Sequence, residues 1–284
     1  LIDSINKKNF DKTKIYLNGI AKYTEEGTFE KVIYETLRDY VYTFKEKKMS
    51  NFKSNFGNLI AINNAFQSCY LNNLKTLDYF DKLKSSEAAD YSRYLFFYVN
   101  YLIHKKRFDL VKEISFEIDE LSNNLIILQT KSWIDKSNFS EIKEIFSCNN
   151  ENDILAEFFY LVSNLYSSQD EYEQSNFYLN ISYFLNKKFK INLSLMADNY
   201  FLNGNYDQSL KVLKLFNSKD DLYYWFKIKQ EAKIITEKEN KEQALRYIEK
   251  NFKNIKNPST KVLFDLATIY KNSKKYEKAI DLYT

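Results

Sequence analysis

The sequence predicts an all-α fold: an α-solenoid of antiparallel helix hairpins stacked side by side. Three observations predict it. The 284 residues include only Gly 4 and Pro 1, against common usage of roughly 7% and 5%, so the tight turns of a sheet-rich fold are missing. Apolar residues recur at helical spacing. In 189–215, Leu193, Met196, Ala197 and Tyr200 share one face, Asn203-Gly204-Asn205 interrupts it, and Tyr206, Ser209, Leu210 and Leu213 resume it. This pair repeats. The residues three after each apolar corner are Leu77, Val111, Ile142, Ser175, Ser209, Ala244 and Ala279, separated by 34, 31, 33, 34, 35 and 35 by subtraction.

In chain order, residues 1–22 read as the tail of one helix, a corner at Asn9-Phe10, and a second helix to about Tyr23. Thr28 stands where an N-cap belongs for a long helix from Phe29 to Lys47, with Val32, Ile33, Leu37, Tyr40, Val41 and Phe44 on its apolar side. The stretch from Met49-Ser50-Asn51 to Asn58 is the least regular and reads as a local hinge. Hairpins follow, with corners at Leu74, Phe108, Phe139, Tyr172, Tyr206, Lys241 and Tyr276, of which Lys241 breaks the apolar rule. Short polar turns such as Lys136-Ser137-Asn138 precede most corners. Twelve residues before each alignment mark lie Ala65, Val99, Thr130, Ser163, Ala197, Ala232 and Ala267, six of the seven being Ala, Ser or Thr. A small side chain there lets the second helix approach closely, and the aromatic corner is expected to plug the gap to the next hairpin.

These units resemble tetratricopeptide repeats. Ala267, Tyr270, Tyr276, Ala279 and Tyr283 stand at that family's small and aromatic slots. So do Ala197, Tyr200, Gly204, Tyr206 and Leu213, and Ser163, Tyr166, Tyr172, Ser175 and Leu179. Pro258 lies before the last hairpin, near the family's helix-ending proline. The resemblance implies a right-handed superhelix in three parts: divergent N-terminal helices over 1–57, degenerate repeats over 58–156, and recognisable repeats over 157–284 with the last one truncated. The order of units is also similar to that of alphaproteobacterial, envelope-associated repeat proteins that often carry an export signal.

Composition excludes several function classes. Lys plus Arg 42 against Asp plus Glu 38 leaves +4, no electrostatic footprint for nucleic acid. Clusters such as Lys187-Lys188-Phe189-Lys190 read as solvated helix ends. No run reaches the ~18 apolar residues of a membrane span. Cys69 and Cys148 lie in different repeats and read as two lone buried thiols, with one disulfide left open as the alternative. The chain begins at Leu1 without a signal peptide, which leaves two compartments open: the cytoplasm, or the periplasm if an upstream export signal was removed. It opens and stops inside repeats, so further repeats or end-to-end self-association through uncapped units are expected.

Residues for chemistry are sparse. His104 is the single histidine and reads as a surface or groove side chain. The carboxylate pairs Asp153/Glu157 and Glu117/Glu120 read as helix surface. No Gly-rich phosphate loop or Cys/His cluster is present. No enzyme, cofactor or metal site is therefore expected, and binding is the remaining option. First helices line the concave face of such a stack. Projecting the helical phase opposite the packing residues places Phe96, Asn100, Lys131, Tyr160, Asn164, Asp198, Phe201, Lys233 and Phe264 there. These suit an extended protein or peptide, with polar groups on its backbone and aromatic faces on its side chains. The competing reading makes them the exposed side of amphipathic helices. A chaperone-type carboxylate clamp is not met, because Asn100 and Asn164 are preceded one turn earlier by Phe96 and Tyr160. The alternatives are an RNA-binding helical repeat, disfavoured by the mixed charge, or an accessory subunit of a cell-envelope enzyme complex.

Overall fold

The computed structural model describes residues 1–51, 59–84, 92–122 and 124–283. Most of the stretch read as a hinge, 52–58, lies outside the described residues. Those described form 17 helices and no strand. In order they are α1 (Ile2–Asn6), α2 (Phe10–Ala21), α3 (Phe29–Glu46), α4 (Leu59–Tyr70), α5 (Thr76–Lys84), α6 (Ser92–His104), α7 (Phe108–Glu117), α8 (Leu125–Asp135) and α9 (Phe139–Ile145). The second half contains α10 (Glu151–Ser167), α11 (Tyr172–Leu185), α12 (Ile191–Leu202), α13 (Tyr206–Leu213), α14 (Asp221–Lys238), α15 (Lys241–Phe252), α16 (Thr260–Asn272) and α17 (Tyr276–Tyr283). Consecutive helices pack in pairs, most extensively α10 with α11, α14 with α15, α16 with α17 and α12 with α13. Thr28 caps α3 through Lys31 N–H at 3.3 Å.

The small-residue slots are where the helices of a pair meet. Ala65, Val99, Thr130, Ser163, Ala197 and Ala267 are fully buried, and Ala232 nearly so. In two pairs the alignment mark donates straight to its slot: Ser175 Oγ to Ser163 O at 2.8 Å, and Ser209 Oγ to Ala197 O at 2.9 Å. A larger slot residue would push these hydroxyls off their carbonyls. The corners behave differently from expectation. Phe108 and Phe139 do meet across successive pairs, ring centroids 5.1 Å apart. Leu74, however, is 96% exposed and Tyr276 59%, so the corner is not a general plug.

What recurs at the corner is a backbone conformation. Two residues before it, Lys8, Asn72, Lys106, Ser137, Asp170, Gly204 and Lys274 all have positive φ, between 52° and 71°. Each donates its N–H to the carbonyl three residues back, and its successor donates to the carbonyl five before itself. Lys106 to Ile103 (3.1 Å) and Arg107 to Leu102 (2.9 Å) are one instance. This is the Schellman closure, which satisfies orphan carbonyls at a helix C-terminus. It includes the turn between α1 and α2, which makes that first pair a member of the series. The turn before Lys241 is the exception: Glu239 has φ −130°, and Asn240 caps α15 through Gln243 N–H at 3.0 Å.

Contacts also reach far beyond neighbouring pairs. The α3 helix lies against α4, where Tyr40 donates to Asn63 and Thr43 to Gln67 Oε1 (2.8 Å). It also meets α10, where Phe29 packs on Tyr166 (5.3 Å) and Tyr40 on Phe158 (6.0 Å). Beside them α1 docks on α10 through Lys8–Glu151 (2.9 Å) and Asn152–Asn6 (2.7 Å). Cys69 and Cys148 form a disulfide, Cα–Cα 5.6 Å, across 79 residues. That corrects the reading of two lone thiols: α4 and the segment before α10 are distant in the chain and adjacent in space.

The pair Asp153/Glu157 is a second correction. Glu157 is fully buried and takes the Arg93 guanidinium through both oxygens, Nε–Oε1 2.9 Å and Nη2–Oε2 2.5 Å. Arg93 lies 3.8 Å from the Tyr160 ring centroid and 5.0 Å from that of Phe189. Burial pushes the Glu157 carboxyl above its usual range against the pull of Arg93. Asp153 accepts from Ser147 N–H (2.9 Å) and Asn186 Nδ2 (3.0 Å).

Candidate binding cleft

Of the nine residues assigned to a concave face, two are wholly interior. Phe96 is sealed against Phe97 and Phe189. Asn100 donates through Nδ2 to Ile142 O and Phe146 O, both 2.8 Å, closing the end of α9. The expectation fails at both because α6 is apolar nearly all round, and such a helix has no free face to project. Tyr160 is 9% exposed, roofed by Arg93. Asn164 and Lys233 are exposed, and Phe264 packs on Tyr283 (5.6 Å). Asp198, Phe201 and Lys233 do come together. The Lys233 ammonium sits 5.8 Å from the Phe201 ring, and burial raises the Asp198 carboxyl above its usual range, partly offset by Lys233, Lys229 and Gln230. Lys131 stands apart from that group.

Lys131 instead belongs to a cleft of ≈ 1010 Å³. Its floor is α8. Its walls are the segments that start alternate helices: 187–190 before α12, 219–221 at α14, and 257–260 at α16. These walls begin 32 and 38 residues apart by subtraction, one at the start of each successive pair, so the serial pairing lines them up opposite α8. Asp220 is the main tie. It caps α14 through Tyr223 N–H (3.4 Å) and accepts from Lys190 Nζ (3.1 Å). With its amide turned to suit both neighbours, Gln129 donates to Asp220 Oδ1 (2.7 Å) and accepts from Trp133 Nε1 (3.2 Å). Thr260 donates to Glu120 Oε2 (3.0 Å), closing the far rim.

Six lysines and six carboxylates line this cleft. Most are paired within it, including Lys131 with Glu120 (3.7 Å) and Asp135 (3.6 Å), and Lys188 with Glu144 (3.4 Å). Lys136, Lys187 and Lys219 are exposed lining lysines, and their ammonium groups are free to meet a ligand. Trp133 presents a half-buried indole beside them. The arrangement can hydrogen-bond a polar chain and stack an apolar or planar group. It carries no net charge of one sign.

His104 lies elsewhere, where burial and the nearby Lys143 and Lys105 hold its imidazole below the usual value. Among the described residues no group of three or more His, Cys, Asp or Glu is placed to hold a metal ion, and no helix is long and apolar enough to cross a membrane. No family profile, curated protein or solved structure matches the chain. The class defined by fold and cleft is thus an all-helical protein of serial helix pairs.

Sequence reasoning missed the cleft because it treated the inter-hairpin segments as solvated ends. The signal lay in Lys187-Lys188-Phe189-Lys190 and in Asp220, about one repeat apart and both lining the cleft.

Proposed function

We propose that the chain is a non-enzymatic scaffold, a right-handed solenoid of tetratricopeptide type, that holds an extended segment of a partner protein in the α8 cleft. The observation that carries this reading is the cleft's lining: free lysines, a half-buried indole and mixed polar groups along a trough of ≈ 1010 Å³. Extended peptides are gripped in this way, by polar groups along the backbone and pockets for alternate side chains. The balance of six lysines and six carboxylates disfavours a polyanion such as RNA. The disulfide between Cys69 and Cys148 favours an oxidising compartment for the scaffold.

The test is a random-peptide display selection on the intact chain. Selected peptides are titrated against a Trp225→Phe variant, in which Trp133 is the remaining indole. A fluorescence change at Trp133, weakened at least tenfold by Lys136→Glu with Lys219→Glu, supports the reading. Binding that survives those changes but is lost in Lys233→Glu moves the site to the Asp198–Phe201 face. Retention of RNA at low salt with no enriched peptide overturns the proposal.

A further inference from the structure

The Cys69–Cys148 bridge lies where several chain segments converge. Cys69 belongs to the last turn of α4, and Cys148 stands two residues before Asn150, the N-cap of α10. Next to them Tyr70 donates to Glu151 Oε1 (2.8 Å), and Glu151 also takes the ammonium of Lys8 (2.9 Å), just beyond α1. Lys47, the left-handed cap residue of α3, donates to the Tyr70 hydroxyl. The covalent link therefore fastens α4 to α10 at the point where α1 and α3 also arrive.

Both cysteines are buried but border an opening. An opening of ≈ 140 Å³ is walled by both cysteines together with Asn72, His104, Lys105 and Asn149. A water molecule's share of the liquid is about 30 Å³, so a small thiol fits. Cys148 is the more accessible of the two, 6% exposed against 2%. Lys105 supplies a cation at the mouth, its Nζ donating to Asn72 Oδ1 at 3.3 Å. A neighbouring ammonium favours the thiolate form of a cysteine.

We infer that this disulfide is a thiol-addressable clasp: a dithiol reaches it in the folded chain through the opening, and its reduction loosens the α4–α10 junction while the C-terminal pairs stay closed. In the exchange, an external thiolate attacks Cys148 Sγ. The S–S bond breaks and its electron pair leaves on Cys69 Sγ as thiolate. The second thiol of the reagent, as thiolate, then attacks the external sulfur of the mixed disulfide and releases Cys148. The reagent ends as a disulfide, and its two protons end on the two cysteines.

The intact chain is treated with dithiothreitol without denaturant, quenched with iodoacetamide and weighed by mass spectrometry. The reduction rate is expected to rise in proportion to thiol concentration, and Asn149→Trp, which narrows the mouth, is expected to slow it about tenfold. Hydrogen exchange on the reduced chain is expected to rise at least tenfold in 62–70 and 147–155 and to stay unchanged in 241–283. A rate independent of thiol concentration means that reduction waits for unfolding, and overturns the inference. So does an unchanged rate in the tryptophan variant, or an exchange increase that is absent or spread evenly over the molecule.

Discussion

The first 200 residues and the last 84 are built from the same helix pairs, yet they are held together differently. Among the described residues, 24 of the buried polar or charged side chains precede residue 200; the other two, Ser209 and Gln230, follow it. The first region holds most of its buried apolar residues in one cluster from Ile5 to Met196, threaded by Arg93–Glu157, Tyr40–Asn63, Tyr70–Glu151 and the disulfide. The second has two smaller clusters over α13 to α16, which also take in Leu193 and Ala197 of α12 and Leu128 of α8. The repeat pattern is clean throughout the second region and degraded over 58–156 of the first. Apolar burial is non-directional, so a helix that must find one distant partner relies on hydrogen bonds and ion pairs, and those displace residues from the repeat template.

The largest test of that contrast is Glu157→Ala. It strands the Arg93 guanidinium in the interior and should cost about 3–5 kcal/mol by chemical denaturation. Asp207→Ala removes an exposed partner of Lys238, 3.0 Å away, and should leave the midpoint where it is. Equal effects from the two would break the comparison.

Proton linkage should differ in sign between the regions. Burial raises Asp153 from 3.8 to about 6, so the folded chain keeps a proton that the unfolded chain has lost over that window. Stability from this group is therefore present at low pH and falls as pH rises from about 4 to 6, by roughly 3 kcal/mol. Asp265 behaves oppositely. Burial would raise its carboxyl, but Lys229, Lys261 and Trp225 outweigh it and hold it below the ordinary value. Its contribution is present above the usual carboxylate range and lost as pH falls through the folded value. Carbon-13 titration of both carboxyls checks this, and a midpoint for Asp153 at or below 4 sinks the first half.

Ala197→Leu probes the local packing where α12 meets the second region. The slot is fully buried and its carbonyl accepts from Ser209, so overpacking should cost about 1–3 kcal/mol. A smaller effect than overpacking belongs to the turns. Gly204 has φ +71° and open space around it, so Gly204→Ala should cost about 1 kcal/mol through backbone strain alone. Asp170→Gly, at φ 61° in the equivalent place, should gain a similar or smaller amount. Thermal melts of both variants separate the turn effect from any packing effect.

Much of the fold was legible beforehand. The slots from Ala65 to Ala267 are buried, and the interruption at Lys241 marks the turn that lacks the left-handed residue. The shared turn was hidden because Gly204 is the only glycine in it; Asn72 and Asp170 are residue types that tolerate the left-handed region, but Lys8, Lys106, Ser137 and Lys274 give no such sign. Of the nine residues projected onto a concave face, Lys131 alone lines the α8 cleft, and Phe96 and Asn100 are interior. Phase projection needs a polar stripe to set the zero of rotation, and α6 has none.

Local spacing along the chain was enough to determine that this protein is helical, that its helices come in pairs, and where each pair is pinched by a small residue, because these depend on interactions within about 34 residues. Which pairs meet after the chain has wound round was decided by the tertiary structure alone. The Cys69–Cys148 bridge, the Arg93–Glu157 pair and the trough over α8 all join segments whose distance in sequence carries no record of their distance in space.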